Sequence, residues 1–439
     1  MGNVATFGRL APAGAKRAAG SAATAAGEGD DGFDPTLLQS SGITARIVEW
    51  VVRHPFALMA FARRFWPIPT FKGWAIITRY DDVAEALQND KAIAVPFGPQ
   101  IKTLNDGPNF VLGMADGPEY QALHKATVSV FPREDNAAIV GPMAYHEASN
   151  LLELGEGRID GVRGLLTLVP TRICEKYYGL TIPDEANFAR WTIAMSSYMF
   201  GNPGNDPNLE KAAVAAGALV RPIMDDAIAR AKAHPEVDTI AARLVRQQIA
   251  DPESMPDEII RAILIGMVTG FVPTNTMASG HMLDLLLDKP EWMAQAQDAA
   301  RSDDDDRLKR CLFEAMRFWP LNPGPFRVAA EDVTIAAGTR RAKTIKKGTK
   351  LLVSTQSAMF DPQRVEHPNR FDPDRKPVDY MLMGFGLHWC IGAPLAYAQI
   401  TQTFKPLLKR RNVRRAPGKD GKMTRFGPFP ESLWVLYDH

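Results

Sequence analysis

The residue best suited to chemistry is Cys390, which lies in a glycine-rich loop just before a predicted helix start at residues 393–400. Unpaired backbone N–H groups and the positive end of a helix dipole favour a thiolate over a thiol, and a thiolate is a metal ligand. Gly384, Gly386 and Gly392 let the backbone take positive φ and approach a flat partner closely. His388 can donate a hydrogen bond to an anion beside that partner. A lone cysteine is more often buried and inert, so the neighbouring residues favour the ligand interpretation here.

The run of residues 385–392 resembles the haem-binding loop of cytochromes P450, in which this cysteine is the proximal thiolate ligand of the iron. The match includes glycines four residues before and two residues after the cysteine, and a histidine two residues before it. Met383 stands where the family usually has Phe, and its flexible thioether can fill the same space. The resemblance implies bound haem b. It assigns Cys390 to the metal and Phe385, Gly386, His388 and Gly392 to the cofactor.

Two further segments resemble P450 regions that bind the haem propionates. In residues 116–125, Tyr120 and His124 share a helix face at i and i+4, so both can donate to the same carboxylates. An amphipathic surface helix is the alternative interpretation of this pattern. Arg327 matches the family position whose guanidinium binds a propionate. The resemblance therefore adds Tyr120, His124 and Arg327 to the expected cofactor-binding residues.

A charged pair is expected to hold the loop scaffold. Glu314 and Arg317 lie at i and i+3 on a predicted helix, where they can form a charge-assisted contact. Such a pair is common on protein surfaces. It gains weight because the P450 family has this pair at this distance before the cysteine loop, where it binds an arginine from a later loop. Arg370 is the candidate for that arginine, and the network is expected to be structural.

A long apolar helix is predicted from residue 257 to about residue 288, after Pro256 and an acidic first turn. In the P450 fold such a helix crosses the distal face of the haem, and most members place an acid followed by Thr or Ser near the iron. Alignment on Gly270 puts Val272 at the acid position and Pro273 at the alcohol position. No Asp or Glu occurs between Glu258 and Asp284. The usual proton relay is therefore missing from this helix.

Other polar groups of the same helix are candidates for the missing function. Thr274 or Asn275 can supply a hydroxyl or an amide, so the expected catalytic residues are Val272, Pro273, Thr274 and Asn275. Pro273 lacks an N–H, which leaves the carbonyl of Thr269 without its helical partner, and the helix is expected to kink or widen there. A proline that merely bends a core helix is the alternative.

Composition places these motifs in an ordinary globular protein. Hydrophobic residues make up 46% of the 439 residues and charged residues 23%, with a net charge of +1, which gives no indication of nucleic-acid binding. Three cysteines without metal-type spacing or a disulfide framework fit a reducing cytoplasm. We expect no transmembrane anchor, because the most apolar stretch, residues 259–268, falls short of the ~20 residues that span a bilayer.

The order of the elements favours one catalytic domain. Residues 1–30 are rich in Ala and Gly and are predicted to be a disordered arm. Residues 43–65 and 81–87 have helical spacing, residues 73–80 indicate a strand, and the many Gly and Pro of residues 95–114 predict a loop. The resemblance implies a mainly α P450 fold, helix-rich with small β-sheets, over residues 40–439.

The predicted function is that of a P450-type haem-thiolate oxidoreductase acting on a hydrophobic small molecule. Because the distal helix lacks the usual relay, our leading hypothesis is oxygen insertion with peroxide as the oxygen source, or rearrangement of an organic hydroperoxide. The first alternative is an O2-using monooxygenase with a non-standard relay, for which a ferredoxin and its reductase are the candidate electron partners. The second is a haem-binding sensor or carrier without turnover.

Overall fold

The computed structural model describes residues 55–202 and 205–439. The predicted arm of residues 1–30 and most of the helix predicted for residues 43–65 lie outside this range. That the chain from residue 40 forms a single domain stays a prediction. Within the described residues the fold is mainly α, as predicted, with helices surrounding small sheets.

Fourteen α-helices are present in the described residues. They are α1 Pro55–Phe65, α2 Tyr80–Gln88, α3 Gly98–Asn105, α4 Pro118–Ser129, α5 Gly141–Leu154, α6 Leu168–Lys176, α7 Glu185–Gly201, α8 Pro207–Ala233, α9 Ile240–Ala250, α10 Asp257–Asp288, α11 Pro290–Arg301, α12 Asp305–Phe318, α13 Thr355–Ala358 and α14 Ala393–Lys409. Short π-helical segments precede α5 and α6, and single 3-10 turns occur at Val111–Gly113, Pro377–Asp379 and Gly386–His388.

Twelve short strands form two sheets and two hairpins in the same part of the chain. They are β1 Thr70–Phe71, β2 Trp74–Ile77, β3 Ile93–Ala94, β4 Arg158–Asp160, β5 Phe326–Ala329, β6 Val333–Ile335, β7 Lys343–Ile345, β8 Lys350–Val353, β9 Arg411–Arg415, β10 Thr424–Phe426, β11 Phe429–Ser432 and β12 Trp434–Asp438. The larger sheet has the order β1-β2-β8-β5-β3, and the smaller has the order β4-β12-β9. The strands β6–β7 and β10–β11 pair as antiparallel hairpins.

The central helix is α10, which runs for 32 residues and is buried along most of its length. Pro256 precedes it, and Asp257 and Glu258 occupy the first turn. Their negative charges stabilise the helix there by interacting with the positive end of its dipole. The helix continues through Pro273 as one α-helix, so the predicted local widening does not occur. By length and composition α10 could cross a membrane, but 72% of its most apolar window is buried inside the protein, as in a core helix.

The segment of residues 95–114 is not the continuous loop that its glycines and prolines predicted. It contains α3, which begins at Gly98 and has Pro99 in its first turn. Backbone N–H groups in the first turn of a helix have no acceptor within the helix, so the missing N–H of a proline costs nothing there. A proline at this position therefore starts a helix and does not break one. Ile101 and Leu104 are buried on the inner face of α3. The burial of that apolar face outweighs the loop-like composition around it.

The larger sheet positions the cysteine loop. An apolar core contains Ile77 of β2, Leu87 of α2 and Val353 of β8, and Phe385 of the loop packs against it. On the far side of the loop, α14 begins three residues after Cys390 and packs along α5 and α10. The loop is therefore held between a sheet core and a bundle of helices.

Candidate active site

The backbone around Cys390 forms a closed turn. The N–H of Cys390 donates to the carbonyl of Met383 at 2.8 Å, and the N–H of Ala393 donates to the carbonyl of Cys390 at 3.1 Å. The N–H groups of Gly392 and Ala393 also lie within hydrogen-bonding reach of the Cys390 sulfur. These bonds fix the direction of the side chain at the start of α14.

The protonation of the thiol differs from the prediction. Burial raises the pKa of the Cys390 thiol above its ordinary value, and the two N–H groups at the sulfur oppose this only in part. The loop and the helix start do not by themselves favour the thiolate, because desolvation penalises the charged form more than they stabilise it. A thiolate at this position therefore needs a cationic partner such as a metal ion.

The glycines of the loop have different roles. Gly386 has φ of +73°, and a Cβ built on it would lie 2.1 Å from the carbonyl oxygen of Leu87, so only glycine fits against the end of α2. Gly384 also has positive φ, +79°, but its Cβ would have room. The prediction of positive φ is wrong for Gly392, which has φ of −85° because it already caps α14.

Two exposed positions, Cys390 and Gly270, lie on neighbouring elements. Cys390 lies deep among protein atoms, yet the residue itself is exposed, so it lines a cleft and not a packed core. On α10, Gly270 is exposed between buried neighbours, and a Cβ built on it would meet nothing within 4 Å. Tyr178 links the two elements, because its ring centroid is 5.9 Å from that of Phe271 and its hydroxyl is close enough to interact electrostatically with the Cys390 thiol.

The open face of α10 runs from Gly270 to Thr274, one turn further on. Thr274 is half-buried, and its hydroxyl donates to the carbonyl of Gly270. Because that proton is committed, the lone pairs of the Thr274 oxygen remain available to accept a hydrogen bond. Thr276 differs, since its buried hydroxyl donates to the carbonyl of Val272 at 2.9 Å, away from this face.

The residues of this helix near Gly270 differ in exposure. Val272, aligned with the acid position, is completely buried and does not reach the open face. Thr274 lies on that face, and buried Pro273 directly precedes it. Asn275 is buried, and its amide nitrogen has no hydrogen-bond partner in the described part of the chain. The alignment on Gly270 stays a prediction, and no carboxylate lies on α10 between Glu258 and Asp284.

A buried cluster of polar side chains lies beside the loop. Arg327 is only 5% exposed, its Nε has no partner among the described residues, and burial lowers its pKa to about 10. The side chain of His388 is 4% exposed, and burial, assisted by Arg327, lowers its pKa to about 4. The negative charge of Asp90 opposes this fall in the pKa of Arg327 only in part, so the positive charge of the buried arginine is incompletely compensated.

Tyr120 and His124 share a face of α4, as predicted. Their rings stack with centroids 5.5 Å apart, and Tyr120 also contacts the edge of the His388 ring. However, the hydroxyl of Tyr120 donates to the carbonyl of Leu387 at 3.0 Å. Its single proton therefore holds the loop and cannot at the same time be donated to a carboxylate. His124 remains half-buried beside it.

The predicted charged network is present, with one change of partner. Arg317 and Glu314 form two hydrogen bonds of 2.9 and 2.8 Å with no solvent exposure. Arg370 takes part only through its backbone carbonyl, which accepts from Arg317 at 3.1 Å, and its residue is exposed. The second guanidinium comes instead from Arg375, whose Nε lies 3.4 Å from Glu314. Only four residues separate the two arginines, so sequence order alone did not distinguish them.

One site residue had no sequence signal. Asp90 follows α2, and its carboxylate lies 3.8 Å from Nε2 of His388. Burial raises the pKa of Asp90, while Arg327 opposes that rise. A single acid after a helix is unremarkable in sequence, and only the packing of α2 on the loop brings it to this cluster.

Comparison with known proteins gives a consistent family relationship. The family model described as "Cytochrome P450" matches residues 208–434, more than half of the chain. Mycinamicin IV hydroxylase/epoxidase of Micromonospora griseorubida is 27% identical over 343 residues, covering 76% of this chain and 81% of that protein. Biflaviolin synthase of Streptomyces coelicolor is 29% identical over 356 residues, covering 78% and 81%. Steroid C26-monooxygenase of Mycolicibacterium smegmatis is 24% identical over 372 residues, covering 82% and 85%.

Solved structures share the fold. A Bacillus megaterium P450 in complex with testosterone superposes with a TM-score of 0.74 at 20% identity, covering 88% of this chain and 98% of that one. The haem domain of a Tepidiphilus thermophilus P450 gives a TM-score of 0.74 at 18% identity, with 92% and 96% covered.

Proposed function

Because the chain belongs to the cytochrome P450 family and is a haem-thiolate enzyme of that class, we propose that it oxidises a hydrophobic small molecule in the cleft between Cys390 and α10. Cys390 is the iron ligand in this proposal. The observation that carries it is an exposed cysteine deep in the protein, together with an open face on the long and largely buried helix α10. A packed core would leave neither surface open.

The residues around the cleft fit a haem. The family cofactor needs a thiolate ligand and carries anionic propionates. Cys390 has an open surface for a metal, and a positive metal would reverse the effect of burial on its pKa. Arg327 and His388 are buried donors, and the Nε of Arg327 has no protein partner in the described residues. We therefore assign Arg327, His388 and His124 to the propionates, and Tyr120 to the loop.

The residues of the glycine-rich loop complete the cofactor site. Gly386 allows the loop to lie against α2, and Phe385 fixes it to the sheet core. Gly392 caps α14 and places its N–H at the Cys390 sulfur. Haem, when bound, supplies the oxygen-activating chemistry of the family, and the protein controls access, orientation and protons.

The substrate is proposed from the relatives and the composition of the cleft. The names of the related enzymes refer to mycinamicin, biflaviolin and a steroid. The face of α10 toward the cleft offers Gly270, which leaves room, and one hydroxyl from Thr274. A hydrophobic natural product fits such a face, because few charged groups would be desolvated on binding. We place the reaction in the cytoplasm.

The oxygen source follows from what the helix lacks. Use of O2 consumes electrons and protons, and a positioned acid that relays protons contributes about 10²–10⁴-fold. No carboxylate lies on α10 between Glu258 and Asp284, and Pro273 stands directly before Thr274. Peroxide already carries its oxygen in the reduced form. We therefore favour a peroxide or an organic hydroperoxide as the oxygen source.

A second candidate function rests on Thr274. Its hydroxyl donates to the carbonyl of Gly270, so its oxygen is free to accept a hydrogen bond from a water in the cleft. An electron-fed monooxygenase could build its relay from Thr274, Asn275 and water, with electrons from a ferredoxin and its reductase. The amide of Asn275, which has no described partner, supports this candidate.

Product formation from the two oxygen sources distinguishes these functions. A substrate found by haem spectral shift is incubated with hydrogen peroxide, or with NAD(P)H, ferredoxin and reductase. We expect wild type to form more product from peroxide, and Thr274→Ala to retain that activity. Thr276→Ala is the matched control, since it removes a hydroxyl of the same helix that points away from the cleft.

The opposite results identify the alternatives. Efficient electron-driven turnover that Thr274→Ala lowers by about 10²-fold or more, while Thr276→Ala does not, would overturn the peroxide proposal in favour of the second candidate. A bound substrate that neither oxygen source converts would indicate a sensor or carrier.

A further inference from the structure

The outer face of α1 carries large apolar side chains that nothing in the described chain covers. Leu58, Phe61 and Phe65 fall at i, i+3 and i+7 and are 47%, 63% and 69% exposed. The ring centroids of Phe61 and Phe65 are 5.0 Å apart. Trp66, just after the helix, is 55% exposed. These four residues, called here the aromatic stripe, form a contiguous patch unlike the scattered apolar residues of an ordinary surface.

The opposite face of α1 fixes the direction of the stripe. Arg63 donates to the carbonyl oxygen and to the hydroxyl of Ser357 at 2.8 and 2.9 Å. These bonds attach α1 to the region of α13 and hold the stripe outward. Phe71, at the turn between β1 and β2, is another exposed aromatic residue close in sequence, at 54%. The stripe is therefore a fixed feature of the surface.

Cations border the stripe. A groove of about 500 Å³ is lined by Phe65 and Trp66 together with Arg64, Arg340 and Lys343. None of the ion pairs between described residues involves these three cations. The nearby acids are already used, since Asp82 pairs with Arg341 and Asp81 with Arg364. The groove is accordingly positive.

We propose that the aromatic stripe and the basic groove bind the surface of an anionic phospholipid membrane. Phe and Trp insert at the boundary between headgroups and acyl chains, and Arg and Lys beside them attract anionic headgroups. A second copy of this chain fits less well, because a two-fold contact would bring Arg64, Arg340 and Lys343 against the same cations.

Binding of full-length, haem-loaded protein to vesicles tests this directly. The protein is sedimented with vesicles of phosphatidylcholine alone, or with added phosphatidylglycerol. We expect binding only to the anionic vesicles, and weaker binding at high salt, where exposed charges are screened.

Variants identify the surface. The triple variant Phe61→Ser, Phe65→Ser, Trp66→Ser should lower the ratio of vesicle-bound to free protein by tenfold or more. This is expected because three aromatic side chains no longer bury apolar surface in the membrane. The double variant Arg340→Ala, Lys343→Ala should lower it about fivefold for each cation removed. The controls are Leu154→Ser and Ile249→Ser, which remove exposed apolar residues elsewhere, and Arg411→Ala, which removes another exposed cation. Haem content and circular dichroism verify that each variant is folded.

Three results would overturn the proposal. One is equal binding to neutral and anionic vesicles, or binding to neither. Another is a control variant that loses as much binding as the stripe variants. The third is that the stripe variants bind vesicles as wild type does but change the molecular mass of the protein in solution, or that the stripe cross-links to residues 34–54. Either result would assign the stripe to another occupant, a second copy of the chain or that segment.

Discussion

Replacing Arg317 with alanine is expected to leave little folded, haem-loaded protein. The guanidinium is completely buried and donates to Glu314, to the carbonyl of Met359 at 3.3 Å and to that of Pro368 at 2.7 Å. It also lies 4.5 Å from the ring centroids of Phe318 and Phe360. Removing it leaves Glu314 buried with one strong partner missing, which costs about 3–5 kcal/mol. This is a large share of the ~5–15 kcal/mol that stabilises a typical domain.

The same helix provides a matched control. Arg310 of α12 pairs with Asp306 at 3.4 Å and with Asp374 at 3.0 Å, but its side chain is 39% exposed. Exposed pairs of this kind contribute about 1 kcal/mol or less, so Arg310→Ala should fold and load haem normally. Yield, haem content and the free energy of unfolding are compared for both variants. Normal haem content with lost turnover in Arg317→Ala would contradict the structural role.

Gly386→Ala is expected to prevent the cysteine loop from closing on α2. The added Cβ would lie 2.1 Å from the backbone oxygen of Leu87, at a residue whose φ is +73°. Strain in the left-handed region and displacement of backbone atoms together cost about 3 kcal/mol or more. We expect low haem content, measured from the ratio of haem to protein absorbance, although the residue never contacts iron in our account.

Gly384→Ala separates crowding from backbone strain. Gly384 has a similar φ of +79°, but the nearest atom to its Cβ would be 3.4 Å away. Only the left-handed penalty of about 1–2 kcal/mol applies, and the variant should keep most of its haem. Equal haem loss in the two variants would show that contact with α2 does not decide how the loop closes.

Much of the fold could be predicted because the decisive features are local. The acidic first turn of α10, its continuous apolar sequence and the glycines around Cys390 are all readable from neighbouring residues. The charged pair of Glu314 and Arg317 is likewise a local i, i+3 pattern. These features placed α10 and the pair of Glu314 and Arg317 correctly.

The errors occurred where distant parts of the chain decide. Arg375 and not Arg370 reaches Glu314, because the turn between them determines which guanidinium points inward. The hydroxyl of Tyr120 is used by Leu387, which is 267 residues away in sequence. The exposure of Gly270 and the burial of Val272 also depend on packing, which periodicity on an all-apolar helix cannot indicate.

The central claim, that Cys390 binds the haem iron as a thiolate, is tested most directly by the absorption spectrum of the reduced carbon monoxide complex. We predict that wild type absorbs at the position characteristic of thiolate-ligated haem, and that Cys390→Ser loses this band. Cys174→Ser and Cys311→Ser, at buried cysteines away from the loop, should retain it. A Cys390→Ser protein that binds haem and keeps the thiolate band would contradict the assignment.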